Sequence, residues 1–302
     1  MGEYLDAATS LALTPRQFIG IPIALIGAVF LSLGAQFQSR GVGKVEANTK
    51  NAASGLNLRQ LQLLLSRPSW VFGTLMLGLA IVLQLSSLYF SPLIVVQPLG
   101  AVALVITSLL NARITKSKLN RRSIVAVCLC VGGVGLFVTI AAFSARDVPI
   151  GQDALIQILI ILAIVLAAFV AAFVYLRHRF KAIFYVIGAG VLYGFVATLA
   201  KVVIARLTNG HFEWLTILCL GGLLLAVGLG AYFVQNAYSS GPPDLVIAGL
   251  TVIDPMVAVA IGIFVLNEAA EAPWWAGFGF VIAGMLAIRG VFMLAKHHPQ
   301  ST

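Results

Sequence analysis

Charged residues are scarce in this chain: they make up 10% of its 302 residues, whereas 60% are hydrophobic and the mean hydropathy is +1.02. Such values lie far outside the range of soluble domains. Cysteine is also rare, and Cys128, Cys130 and Cys219 all lie within apolar segments. Neither a disulfide framework nor a zinc site is therefore indicated. The composition predicts a polytopic membrane protein.

Enzyme motifs are missing as well. The sequence contains no phosphate-binding glycine loop, no HExxH and no G-x-S-x-G. Its glycine groups lie inside apolar segments, where small residues permit close helix contact. The net charge of +9 comes from basic residues in short loops, where they fix topology and do not indicate nucleic-acid binding. We therefore expect no enzymatic activity, no cofactor and no nucleic-acid partner.

Long apolar runs predict an all-α fold with nine transmembrane helices. A polar connection, 39–69, follows the first helix; its part 56–65 is apolar but too short to span, and whether it enters the membrane stays open. Residues 1–17 form an N-terminal extracytoplasmic segment and 296–302 a cytoplasmic tail. The predicted spans are 18–38, 70–90, 93–111, 122–143, 154–176, 182–204, 214–238, 242–267 and 274–294.

Basic residues set the orientation. If the N-terminus lies outside, the cytoplasmic loops and tail hold fourteen of the 19 Lys and Arg residues. The positive-inside rule then holds at every sizeable loop. The expected orientation is N-out and C-in.

The two halves of the chain resemble each other. A shift of 151 residues aligns Gln84 with Gln235 and Pro92 with Pro243 without a gap. Matched spans are five apart, an odd number, so the halves have opposite orientation. This predicts an inverted 4+1+4 repeat, with four helices in 18–143, a connector helix at 154–176 and four helices in 182–295, as in transporters that alternate around a central site.

Asp254 is a carboxylate near the middle of the eighth span. Placing an Asp at the centre of a transmembrane helix costs about 2.5–3.5 kcal/mol, so such residues usually face a bundle interior or a wet cavity. Pro255 follows it and lacks an N–H, which frees carbonyl groups around Thr251 to face a ligand. We predict a binding site here, with Asp254 as the metal ligand if the ligand is a cation.

Other residues mark the same region. Pro98 in the third span corresponds to Gly249 in the eighth, and with Pro255 these are the predicted helix breaks. Each polar side chain taken singly is explained by hydrogen bonding between helices. Together they outline a polar lumen, formed by Gln36, Gln84, Gln97, Tyr193 and Gln235 in addition to Asp254 and Thr251.

Lys201 lies near the predicted outer end of the sixth span. It has two interpretations: its side chain snorkels to the interface, or it is the gate partner of Glu268 or Glu271, which the topology puts on the same side. We carry Lys201 and Glu268 forward as the candidate gate.

The segments SPLIVVQPLGAVALVITSLL and SSGPPDLVIAGLTVIDPMVAVAIGIFVLNE, together with the nine-span layout, resemble the drug/metabolite transporter superfamily. Within it the chain is most similar to the NIPA-type magnesium transporters and their bacterial relatives. The resemblance implies a transporter fold and makes Mg²⁺ a specific candidate. The sequence departs from the pattern at Lys116-Ser117, the first-half counterpart of Asn267-Glu268, so the acidic motif occurs once.

The leading hypothesis is a transporter that moves a small polar solute or cation by alternating access around Asp254. One alternative is a flippase for a phospholipid or lipid-linked substrate, whose head groups the basic loops would gather. Another is a non-transporting membrane subunit of a larger complex. The expected location is the plasma membrane, the inner membrane in a bacterium. The expected partners are membrane lipids and the solute, and a homodimer is left open.

Overall fold

The computed structural model describes residues 14–46, 66–114, 121–146, 148–176, 182–210, 212–240 and 243–296. Within these ranges it contains helices and no strands, and nine of the helices are long and apolar enough to cross a membrane. The predicted all-α fold with nine spans is therefore confirmed. We number the spans α1 (Gly20–Glu46), α2 (Pro68–Phe90), α3 (Leu93–Leu99 and Ala101–Ile114), α4 (Arg121–Ser144), α5 (Gln152–Leu176), α6 (Ala182–Thr208), α7 (Trp214–Ser240), α8 (Pro243–Phe264) and α9 (Trp274–Lys296).

Several helix boundaries differ from the prediction by a few residues, and the end of α1 differs most. Helix α1 continues to Glu46, into the segment 39–69 that was predicted as a connection. Helix α8 ends at Phe264, and Asn267 follows it with a φ of 56°, in the left-handed region that terminates helices. Hydropathy predicts only the apolar part of a helix. Helical hydrogen bonding can continue into the polar residues that follow, as it does in α1. The segment 56–65 lies outside the described residues.

The predicted helix breaks are found in α3 only. Its helix is interrupted at Gly100, two residues after Pro98. Helix α8 runs without interruption from Pro243 to Phe264, so the breaks predicted at Gly249 and Pro255 need correction. A proline inside a helix removes one hydrogen bond, and packing on neighbouring helices keeps the flanking turns in register.

The helices pack in equivalent pairs. Helices α1 and α2 are antiparallel, and their backbones approach closely where Gly34 meets Gly73. Helices α6 and α7 form the matching pair in the second half. Helices α4 and α9 pack on each other at Gly133 and Gly290, which contact Ala287 and Cys130 respectively. This pairing is the one that the predicted repeat requires, and it brings α3 and α8 together in the middle.

The outer surface of the bundle is apolar. Large hydrophobic side chains are exposed there, including Phe264, Trp274 and Phe278. Exposure of this kind is expected where lipid, and not water, covers the surface. The bundle interior instead holds the buried polar residues that define the candidate site.

Candidate functional site

A cavity of about 370 Å³ lies between α1, α2, α3 and α8. We call it the central cavity. Four of the predicted site residues line it: Asp254 and Thr251 from α8, Gln97 from α3 and Gln84 from α2. The other lining residues are glycine or apolar, apart from the proline next to the acid: Gly27, Ala28, Leu31, Ala80, Ile81, Gly100, Leu250 and Pro255.

The position of Asp254 follows from the close packing of α8 on α6. A Cβ atom at Gly190 would lie 2.6 Å from Ile253 Cβ and 3.4 Å from the Asp254 backbone nitrogen. One turn further, a Cβ atom at Gly194 would lie 2.7 Å from Val257 Cβ. Only glycine fits at these two positions without displacing α8. The spacing of four residues is the small-xxx-small pattern of close helix contact.

The Asp254 carboxyl group is incompletely bonded. Its Oδ1 atom is buried, and no hydrogen-bond partner for it exists among the described residues. A buried oxygen without a partner is unfavourable by about 1–3 kcal/mol, and more when the group is charged. Because Asp254 also lines the central cavity, its carboxylate is a place where a cation or a hydrogen-bond donor would bind.

Backbone geometry adds a second acceptor next to Asp254. Pro255 has no N–H, so the Thr251 carbonyl oxygen lacks the helical donor four residues later. The Thr251 hydroxyl group donates to the Ile247 carbonyl oxygen at 2.8 Å, which leaves the hydroxyl oxygen as an acceptor. By the shift of 151 residues, Thr251 corresponds to Gly100, where α3 is interrupted. Both central helices therefore lose regular hydrogen bonding at the same level of the repeat.

Two glutamine side chains complete the polar part of the cavity. Gln97 precedes Pro98 and is buried, with 6% of its surface exposed. Gln84 lines the cavity from α2. Each side-chain amide offers a carbonyl oxygen and an NH₂ group, and neither carries charge. Among the side chains that line the central cavity, Asp254 alone is acidic.

The structure does not bring three predicted residues into the central cavity. Gln36 is half-buried on α1, and Gln235 is exposed on α7. The ring of Tyr193 packs where Gly230 of α7 leaves room for it, on the α6 side of the bundle, close enough to Asp254 for an electrostatic interaction. Gln235 matches Gln84 in the repeat, but the cavity lies on the α1 and α2 side alone. Sequence matching cannot reveal which of two equivalent sides is open.

Lys201 and Glu268 form a buried ion pair. The Lys201 Nζ atom lies 2.9 Å from Glu268 Oε1, and the two side chains are 4% and 1% exposed. Lys201 Nζ also donates to the Ser91 carbonyl oxygen at 3.2 Å. The alternative in which Lys201 snorkels to the interface is thereby excluded for this conformation, and Glu271 pairs instead with Arg146 at 2.7 Å.

The Glu268 carboxylate also caps α3. The backbone N–H groups of Leu93 and Ile94 donate to Oε1 and Oε2, each at 2.8 Å. These N–H groups belong to the first turn of a helix and have no partner within it. The cluster of Lys201, Glu268, Ser91, Leu93 and Ile94 thus ties α6, α8 and α3 together at one end of the bundle. We call it the outer lock, since the predicted topology puts this end outside.

A second cavity borders the outer lock at Lys201. It has a volume of about 340 Å³, and Lys201 forms part of its wall. We call it the vestibule. Leu88 of α2 lines the vestibule, and Gln84, one helical turn away, lines the central cavity. Along α2 the boundary between the two cavities therefore lies between Gln84 and Leu88.

Nothing in the sequence pointed to the N–H partners of Glu268. They lie 174 and 175 residues away along the chain. The Ser91-Pro92 turn was a signal that a helix begins at Leu93 and needs a cap. It does not identify the distant acid that supplies one.

The chain is similar to known proteins over much of its length. The family model described as magnesium transporter NIPA matches residues 16–204. An uncharacterized protein of Corynebacterium glutamicum is 27% identical over 233 residues, which cover 77% of this chain and 81% of that protein. The probable magnesium transporter NIPA5 of Arabidopsis thaliana is 27% identical over 114 residues, 38% of this chain and 28% of that protein. No solved structure matches the chain.

Proposed function

The chain belongs to the NIPA magnesium transporter family, and we propose that it carries Mg²⁺ across the plasma membrane by binding the ion at Asp254. The family resemblance predicted from the sequence is confirmed. The chain is accordingly a multi-pass membrane transporter and not an enzyme. In a bacterium the membrane would be the inner membrane.

The observation that carries this proposal is the Asp254 carboxylate, which belongs to a residue that lines the central cavity and whose buried Oδ1 atom has no hydrogen-bond partner among the described residues. Mg²⁺ binds oxygen ligands, and it is usually held by one or two carboxylates together with waters. The cavity supplies one carboxylate, the acceptor oxygens of Thr251, and the amide oxygens of Gln84 and Gln97. A bound cation would also offset the cost of a buried charge, which gives the intramembrane acid a function.

Alternating access is supported by the unequal packing on the two sides of α8. On one side α6 closes against it at Gly190 and Gly194, whereas on the other α1 and α2 leave the central cavity. In an inverted repeat, the two halves exchange such packings between the inward-open and outward-open states. The conformation described here is closed at the outer lock.

In this mechanism the Lys201–Glu268 pair is the outer gate. The contacts that support this role are those of Glu268 with the first turn of α3 and of Lys201 with Glu268, next to the vestibule that Lys201 lines. Opening would require this pair to part and the first turn of α3 to move away from Glu268. Mg²⁺ would then pass between the vestibule and Asp254.

The test is the thermal stability of the purified protein with and without Mg²⁺, for wild type and Asp254→Asn. A ligand at a hundredfold its dissociation constant stabilises by about 2.7 kcal/mol, and we expect this increase in wild type only. Without Mg²⁺, the variant should be at least as stable as wild type because it removes a buried carboxylate with an unpaired oxygen. Mg²⁺ flux into liposomes should fall in parallel.

Asp153→Asn is the matched control. It makes the same chemical change at an exposed position at the start of α5, outside the central cavity. It should retain both stabilisation by Mg²⁺ and flux. If Asp254→Asn transports Mg²⁺ as well as wild type, Asp254 is not the binding residue. If lipid phosphates stabilise the protein and divalent ions do not, the flippase hypothesis replaces this one.

A further inference from the structure

The central cavity offers a divalent cation too few ligands to replace its water shell. Asp254 is the one acidic side chain among the cavity-lining residues. Among the described residues, no group of three or more His, Cys, Asp or Glu side chains could hold a metal ion. The other polar groups at the cavity, Gln84, Gln97 and Thr251, are neutral. A site in which protein atoms fill the coordination sphere is therefore not formed by this part of the chain.

The chemistry of Mg²⁺ makes this shortage informative. The ion demands near-octahedral geometry at about 2.0–2.1 Å and gives up its waters reluctantly. A cage for the bare ion would need several charged oxygens at fixed positions. One carboxylate and three neutral side chains are instead the groups expected to accept hydrogen bonds from waters that stay on the ion.

The size of the central cavity fits this interpretation. Six waters take up about 180 Å³ at the volume that each occupies in the liquid, about 30 Å³. The cavity volume is about 370 Å³, so it holds an ion with its complete first shell and some further water.

We propose that the central cavity binds a divalent cation as its hydrated complex, with Asp254 recognising the bound waters and Gln84, Gln97 and Thr251 accepting hydrogen bonds from them. This inference rests on the proposed function, because it specifies the form in which the ion is bound at the same site. Asp254 supplies the negative charge, and the neutral groups orient the shell. Selection then depends on the size and geometry of the hydrated ion.

Hexaamminecobalt(III) chloride is the probe that tests the inference. Its octahedral ammonia ligands do not exchange, so it resembles hydrated Mg²⁺ and cannot coordinate directly to a carboxylate. Binding would be measured by titration calorimetry on protein in phosphatidylcholine nanodiscs, for wild type, Asp254→Asn and the control Asp153→Asn. We expect the complex to bind wild type and Asp153→Asn, to compete with Mg²⁺, and to lose about ten- to a hundredfold in affinity in Asp254→Asn.

Gln97→Leu gives a second measurement. It should weaken Mg²⁺ and the cobalt complex by the same factor, because both would donate to Gln97 through the ligands of the ion. A loss for Mg²⁺ alone would indicate direct coordination.

The outcomes separate the two proposals. If Mg²⁺ binds at Asp254 and the cobalt complex does not, the ion is bound without its shell; the hydrated form is then overturned and the proposed function stands. If neither binds wild type more tightly than Asp254→Asn, the proposed function itself fails. If the cobalt complex binds wild type and Asp254→Asn equally, its binding is independent of this site, and the inference fails.

Discussion

Lys201 and Glu268 are opposite charges held away from water, and each compensates for the burial of the other. Removing one partner of a buried pair costs about 3–5 kcal/mol, because the remaining charge stays buried without compensation. We therefore expect Lys201→Met to lower the stability of the purified protein by an amount in this range. Chemical unfolding followed by intrinsic fluorescence would measure the loss.

Arg146→Met is the control for this change. Arg146 pairs with Glu271 at a similar distance, but the two side chains are 36% and 59% exposed. Exposed pairs contribute about 0–1 kcal/mol, so this variant should be nearly as stable as wild type. A double variant, Lys201→Met with Glu268→Gln, should recover part of the loss. Equal stability of Lys201→Met and Arg146→Met would contradict a buried lock.

Which single residues matter was partly predictable. An acid in the middle of an apolar run is costly wherever the helix packs, so the sequence alone makes Asp254 a candidate, and the structure places it at the wall of the central cavity. Topology placed Lys201, Glu268 and Glu271 at one end of the bundle, but it left open whether Lys201 forms a pair and with which acid; the structure shows the pair with Glu268. Gln235 was placed in the lumen because it matches Gln84, yet it is exposed. Its position depends on the rotation of α7, and hydropathy averaged over a whole span does not determine that.

At the scale of helices, the contact between α6 and α8 depends on the absence of side chains. Gly194→Ala would put a Cβ atom 2.7 Å from Val257 Cβ and 3.1 Å from the Ala258 backbone nitrogen. Because the backbone cannot give way as a flexible side chain does, we expect destabilisation of about 1–3 kcal/mol. Mg²⁺ binding should weaken as well, since α8 would shift together with Asp254.

Gly228→Ala provides the opposite case within the same bundle. It lies in α7, where a Cβ atom would meet nothing within 4 Å. Alanine is favoured over glycine inside a helix by about 0.5–1 kcal/mol, so this variant should be slightly more stable than wild type. Thermal unfolding of the two variants should give shifts of opposite sign. A Gly194→Ala variant as stable as wild type would mean that the α6–α8 contact is looser than described.

The number of membrane-spanning helices could be predicted from the sequence, but whether each helix is continuous could not. Length and hydropathy are properties of a segment by itself, which is why nine spans could be counted. Whether a helix continues through Pro255 depends on the packing of its neighbours, and α8 does continue. Helix α3 is interrupted at Gly100, where a residue without a side chain follows soon after Pro98. A proline within the apolar run is thus followed by an interruption of the helix in the first half but not in the second.

At the scale of the whole molecule, the two halves pack in equivalent helix pairs but carry different residues at the positions of Asp254 and Glu268. The position that corresponds to Asp254 in the first half is Ala103, whose carbonyl oxygen accepts a hydrogen bond from Ser32 Oγ at 2.8 Å. The counterpart of Glu268 is Ser117, which lies outside the described residues. The acidic residues at these two positions, Asp254 and Glu268, therefore occur in the second half only.

The last prediction concerns access to the central cavity from outside. Glu268→Gln removes the charge that holds Lys201 and weakens the bonds to Leu93 and Ile94, since hydrogen bonds to a charged group are about twice as strong as neutral ones. The outer lock should then open more often. In a chain without its three native cysteines, Ala80→Cys in the cavity wall should react with a membrane-impermeant thiol reagent at least about tenfold faster when Glu268→Gln is added.

Thr208→Cys is the control, at an exposed position in the vestibule. It should react equally fast with or without Glu268→Gln, and its labelling from outside checks the orientation. Unchanged labelling of Ala80→Cys would mean that the Lys201–Glu268 pair holds the helices together without controlling access.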